Sequence, residues 1–262
     1  MEFEWIGSEQ KYLDEIFITS LGHIQIGCFG GSTKVGALKN EDAIYCIQSL
    51  EKNWVFAVLL DAHNSSESAK IVIEVLKDNR DEIIEICNSE NVFKDLEPYI
   101  VSILSEEPFR NQCRTINGET SCLFIFQKGA FIWWLSIGDC MGYLFHPELA
   151  KFHQYGLNQR QFFEWIGQVN TFDLQVPCYS SGRRQLRQGV NLILLSTDGL
   201  LDCENGKYQS SCNLYNSFVN EQEIHKNLRM VLEDIMNDHV KDSTSLICWQ
   251  VNNSHQVLYP SD

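Results

Sequence analysis

The segment VNLILLSTD, residues 190–198, sets four consecutive apolar residues, Leu192 to Leu195, just before an acid, Asp198; a second acid, Asp202, follows four residues later. So short and apolar a run reads as a strand buried on both faces. A buried carboxylate is costly unless it is paired or bound to metal. Either the run stops at the surface, or Asp198 has a cationic partner. The pattern recurs along the chain. WVFAVLL ends in Asp61 and FIWWLSIG ends in Asp139, while Glu41-Asp42 directly precedes AIYCI and Asp242 shortly precedes SLICWQV.

Short apolar runs rich in aromatic and β-branched residues predict strands at 43–50, 54–61, 121–139 (two strands around Lys128-Gly129), 190–198 and 245–251, with an earlier one at 23–30. The turn at Gln127-Lys128-Gly129 suggests an antiparallel hairpin. Helices interleave. Asn64 with Glu67 three residues on makes an N-cap signature, and Ala69, Val72, Ile73, Leu76, Ile83 and Cys87 continue a helical stripe as one long helix or two short ones. Residues 221–236 place Ile224, Leu228, Val231, Leu232 and Ile235 on one face. Both stripes read as helices packed on a sheet.

Composition narrows the class. No linker, repeat or clustered proline interrupts the 262 residues, so a single domain over 1–262 is the simpler expectation. No apolar run reaches membrane-spanning length, and the acidic start MEFEWIGSEQ resembles no leader segment. Ten cysteines without C-x-x-C spacing read as reduced core thiols, hence a cytoplasmic protein. A net charge of −15 argues against a nucleic-acid groove.

Side by side in alternating directions, these strands can bring their acids to one edge of a sheet. Asp favours turns, so any single acid there is unremarkable; five coincident ones are less so. Gathered carboxylates repel unless a multivalent cation sits among them. An all-oxygen set suits Mg²⁺, Mn²⁺ or Ca²⁺, whereas zinc prefers His or Cys. Two such ions bridged by a carboxylate form a hydrolytic arrangement that activates water against phosphorus.

Six motifs, in order over roughly residues 20–250, resemble those of the metal-dependent serine/threonine protein phosphatases, the protein phosphatase 2C family in a divergent, bacterial-type form. FAVLLDAHNSS (56–66) is similar to its F-A-V-x-D-G-H-G-G, and LILLSTDGLLD (192–202) to its strand-S-D-G-L-x-D. Asn40-Glu41-Asp42-Ala43 matches N-E-D-A, Gly118-Glu119-Thr120 resembles G-x-T, Ile137-Gly138-Asp139-Cys140 resembles V-G-D-S, and Asp242-Ser243-Thr244-Ser245 resembles D-N-x-T.

The resemblance implies an α+β fold, a β-sandwich of two mainly antiparallel sheets flanked by helices in four αββα layers. It implies Mn²⁺ or Mg²⁺ as cofactor. Asp61 would bridge two ions, Asp198 and Asp242 would hold one, and the backbone carbonyl of Ala62 the other. Glu41 and Asp42 would act through metal-bound water, and Asp139 with Asp198 matches a third, weaker site of some members. A bridging water or hydroxide would hydrolyse a phosphomonoester of a phosphoprotein substrate, with His63 as the acid that protonates the leaving alkoxide. The alternative role of His63 is a hydrogen bond to a carboxylate.

Three departures accompany the match. Residues 34–39 contain no arginine where many members clamp the phosphate, leaving Lys39 to supply charge there or to be a solvated loop lysine. Ala62 replaces the usual glycine, which adds a Cβ in an expected tight turn, and Asn64-Ser65 replaces a glycine pair. In the variable region 155–188, Phe162, Phe163, Trp165, Arg183, Arg184 and Arg187 read as core aromatics plus surface arginines, or as a phosphopeptide dock. An active protein phosphatase, a pseudophosphatase serving as a regulatory binding module, and a hydrolase of small phosphorylated metabolites all remain open.

Overall fold

The computed structural model describes residues 1–51, 53–203, 206–219 and 223–257. Two antiparallel sheets carry the chain. The first runs in the order β1 (Glu2–Ile6), β4 (Ala43–Ser49), β5 (Trp54–His63), β6 (Glu119–Lys128), β7 (Phe131–Ile137) and β10 (Ser180–Gln185), with the short β9 (Ile166–Gly167) also on β6. The second runs β2 (Ile16–Leu21), β3 (Ile24–Phe29), β12 (Thr244–Asn253), β11 (Gly189–Ser196) and β8 (Met141–Phe145). Helices α1 (Glu67–Asp78), α2 (Arg80–Asn88), α3 (Val92–Ser105) and α4 (Glu107–Cys113) lie between β5 and β6 in sequence. The single turn α5 (Pro147–Ala150) follows β8, and α6 (Ser211–Phe218) and α7 (Ile224–Asn237) lie between β11 and β12.

Strand periodicity explains the four layers. On β5, Val55, Ala57 and Leu59 face the space between the sheets, where they join Ile44, Leu123 and Ile125 from the first sheet and Ile26, Ile193, Leu195 and Ile247 from the second. The alternate residues Phe56, Val58 and Leu60 pack against Val72, Leu76, Leu96 and Ile100 of α1 and α3. Leu192 and Leu194 of β11 likewise meet Leu228, Val231 and Leu232 of α7. Because both faces of each central strand are covered, the runs are apolar throughout rather than alternating.

The strands expected from 23–30, 43–50, 54–61, 121–139, 190–198 and 245–251 correspond to β3, β4, β5, β6 with β7, β11 and β12. Edge strands β1 and β10 escape the pattern: β1 is the short EFEWI, in which acids alternate with aromatics, and β10 is the polar SSGRRQ, held by its ladder to β7. The stripe after residue 64 is two helices, broken at Asn79. Asn64 does not cap the first one. Ser66 holds that position, while Asn64 adopts a left-handed φ of 71°. The helix expected over 221–236 is α7; residues 221 and 222 lie outside the described residues. Phe162 and Phe163 are exposed rather than core aromatics. All ten cysteines are free and eight are buried. No helix among the described residues is long and apolar enough to cross a membrane.

Candidate functional site

Strand direction decides where the acids go. β5 runs antiparallel to β4 and β6, and β6 antiparallel to β7, so the end of β5, the start of β4 and the end of β7 coincide. Asp61, Asp42 and Asp139 sit at those three points. In the second sheet Ser196 pairs with Leu246, which puts the end of β11 beside the start of β12, and hence Asp198 near Asp242. The acids therefore meet at one end of the sandwich and come from both sheets, not from one sheet edge as the strand pattern alone suggests. Asp61, Asp139 and Asp198 approach most closely: each offers a carboxylate oxygen within 4.8 Å of the other two.

Local turns fix these side chains. Gly138 takes a φ of 88°, and a Cβ there would collide with Ser121 Oγ. That same hydroxyl donates to Asp139 Oδ1 at 2.5 Å. A Cβ on Gly199 would strike the Ser243 carbonyl, so glycine lets the Asp198 turn lie against the Asp242 loop. Asp42 is fully buried between the sheets and accepts from Ser243 Oγ at 2.8 Å and from Thr197 Oγ1 at 3.2 Å. Its two oxygens thus pin the loops that carry Asp242 and Asp198.

Electrostatics mark the cluster as short of positive charge. Burial, and then the charges of Asp42, Asp198, Asp242 and Asp139, push the Asp61 carboxyl well above the ordinary carboxylate range. Burial first, with Asp242, brings Asp42 to about 7, and burial with Asp139 and Asp242 brings Asp198 to about 6. Burial raises Asp242 as well. Asp198 Oδ1 is buried without a hydrogen-bond partner. An all-oxygen donor set with an orphaned carboxylate oxygen fits a hard divalent cation such as Mg²⁺ or Mn²⁺.

One cation of the chain does reach the cluster. Arg160 Nη2 donates to Asp198 Oδ2 at 2.8 Å and lies 3.4 Å from Asp139 Oδ2. No motif signals Arg160 in the sequence. It sits in the variable 155–188 region, and only the folded loop brings it to the acids.

A cleft of about 590 Å³ opens beside these residues, lined by Lys39, Glu41, Ala62, His63, Lys241 and Asp242 among others. His63 is half-exposed, with Nδ1 3.8 Å from Asp61 Oδ1. Lys39 forms an ion pair with Glu41 and lies 3.5 Å from the Asn64 carbonyl. Glu41 lies on this cleft and outside the trio, as does Asp242. Ala62 is not in a tight turn. It belongs to β5, paired with Thr120, and its methyl group joins the core, so the extra Cβ is accommodated. The left-handed residue of the motif is Asn64, a residue type that tolerates that conformation.

The fold has clear structural relatives. A variant of a bacterial serine phosphatase superposes with a TM-score of 0.62 over 90% of this chain and 97% of its own, at 16% sequence identity. The chain has the fold of a bacterial serine phosphatase. The serine/threonine phosphatase Stp1 from Staphylococcus aureus matches 90% of this chain and 94% of its own at a TM-score of 0.59 and 16% identity. RsbX, solved in complex with magnesium, matches 90% of this chain and 98% of its own at 0.59 and 13% identity. No protein-family model matches the sequence, and no curated protein matches it.

Proposed function

We propose that this chain is a divalent-metal-dependent phosphatase acting on phosphoserine or phosphothreonine in proteins. The observation that carries the reading is the trio of buried Asp61 and Asp139 with partly buried Asp198 and its orphaned oxygen, on a fold shared with bacterial serine phosphatases. In this reading Asp61, Asp198, Asp242 and the Ala62 carbonyl would hold two Mn²⁺ or Mg²⁺ ions. Asp139 with Asp198 offers a third position, and Glu41 and Asp42 act from outside. Bound ions would lower the pKa of a water and neutralise charge on the phosphoryl oxygens.

The chain's own residues supply the rest. Asp42 holds the Asp198 and Asp242 loops together through Thr197 and Ser243. His63, at the mouth of the cleft, delivers a proton to the leaving alkoxide. Lys39 and Lys241 bring positive charge to the side of the cleft where the substrate phosphate would enter. Lys39 lacks the bidentate fork of an arginine and is already paired with Glu41, so phosphate is held loosely. Eight buried thiols suit a reducing compartment, the cytoplasm.

A regulatory binding module without turnover is the second reading, favoured by the Arg160 guanidinium on Asp139 and Asp198. One assay separates the two. Release of phosphate from p-nitrophenyl phosphate and from a phosphoserine peptide is followed with Mn²⁺ and then with excess chelator. Metal-dependent release from the peptide supports the enzyme; no release from either substrate supports the binding module.

A further inference from the structure

A second cleft, of about 620 Å³, lies between the 153–161 loop and β10, and shares no lining residue with the first. The chain carries 35 acidic side chains against 20 lysines and arginines, yet among the described residues this cleft is lined by Arg160, Arg184 and His153 and by no carboxylate. Four buried polar atoms without a hydrogen-bond partner belong to its lining: Arg160 Nε, Gln161 Oε1, Ser180 Oγ and Arg184 Nη1. An unpaired guanidinium N–H is expensive, and a phosphate matches the planar fork of a guanidinium bidentately.

The geometry points to a phosphate-binding site in this cleft, separate from the acidic cluster. Arg160 and Arg184 would bind the phosphate dianion and the Ser180 hydroxyl would donate to it. Arg160 belongs to both sites, since its Nη2 already contacts Asp198 and Asp139. A phosphate on the other side of that guanidinium draws it from the carboxylates, so occupancy of the cleft is coupled to the charge of the acid trio. The phosphate is either free or carried on a phosphorylated side chain.

The test is calorimetric titration of the full chain in excess chelator with inorganic phosphate, and separately with a phosphoserine peptide. Without a divalent ion the acid trio repels anions, and the Arg184→Gln variant tells binding in the second cleft from binding at Lys39 and Lys241. The measurement needs no turnover, so this site and the phosphatase reading fail separately. Phosphate is expected to bind the wild type, and Arg184→Gln to weaken it at least about tenfold. Tighter binding of the peptide assigns the site to a phosphorylated side chain, and equal binding to free phosphate. If Arg184→Gln does not fold, Arg184→Lys, which keeps charge but loses the fork, is expected to weaken binding in the same direction. No heat with wild type up to about 10 mM phosphate, or unchanged affinity in the folded variant, overturns the site.

Discussion

Arg160 Nη2 lies 2.8 Å from Asp198 Oδ2 and 3.4 Å from Asp139 Oδ2, so one guanidinium nitrogen spans carboxylates carried by the two sheets. It is the chain's own counter-ion for the cluster. Arg160→Ala should therefore destabilise the metal-free protein by roughly 1–3 kcal/mol, the scale of an orphaned charged hydrogen bond. Added Mn²⁺ should raise the melting temperature of the variant more than that of the wild type. Melting curves with chelator and with Mn²⁺ check this, and an equal metal-induced rise in both proteins would contradict it.

Asp198→Asn removes one charge from a crowded site while keeping its shape. Turnover with Mn²⁺ should fall more than about 100-fold, beyond the loss typical of an outer-shell partner. The chelated variant should melt no lower than chelated wild type, since like-charge repulsion is relieved. Rates and melting curves measured together separate loss of the site from loss of the fold. Undiminished activity in a folded variant would remove Asp198 from the centre.

The raised carboxyl groups set a pH dependence. Asp42 is pushed up to about 7 and Asp198 to about 6, with Asp61 and Asp242 shifted in the same direction. A carboxyl raised in the folded state keeps its proton longer there than in the unfolded chain. Metal-free stability should therefore fall as pH rises from about 4 to at least about 7. His23 and His146, both lowered by burial, act in the opposite sense within that window, and exposed Asp14, lowered by its hydrogen bond from Thr33, acts so below it. Melting in chelator at about pH 5 and about pH 8 tests the sign; greater stability at the higher pH would refute it.

His63→Gln should separate substrates by leaving group. A serine alkoxide needs a proton to depart, whereas nitrophenolate leaves largely without one. Turnover of a phosphoserine peptide should drop about 10²–10⁴-fold, with a much smaller loss on p-nitrophenyl phosphate. Equal losses on both would assign His63 to holding Asp61, 3.8 Å away, instead of to proton transfer.

Much of this was legible along the chain because the central strands are buried on both faces. Phe56 to Leu60 and Leu192 to Leu195 have no polar face to disguise them, and the acids that end these runs stand out. Edge strands gave no such signal: β10 contributes polar residues and a ladder, and its pairing with β7 is a long-range choice. Helices α3 and α4 carry none of the six motifs. Asn64 matched a cap by composition alone, but the bend after β5 needs a left-handed residue there, and the helix starts at Glu67.

The linear sequence by itself determined the central strands, the acids at their ends and the six motifs, because all of these depend on residue type and short spacing. Only the tertiary structure decided that the acids converge from two sheets, that Asp139 rather than Asp242 joins Asp61 and Asp198 in the tightest trio, and that Arg160 bonds to it. Those outcomes depend on strand direction, on sheet-to-sheet packing and on the path of a variable loop. Contacts between residues so far apart along the chain are set by the burial energy of the whole core, and no local pattern records them.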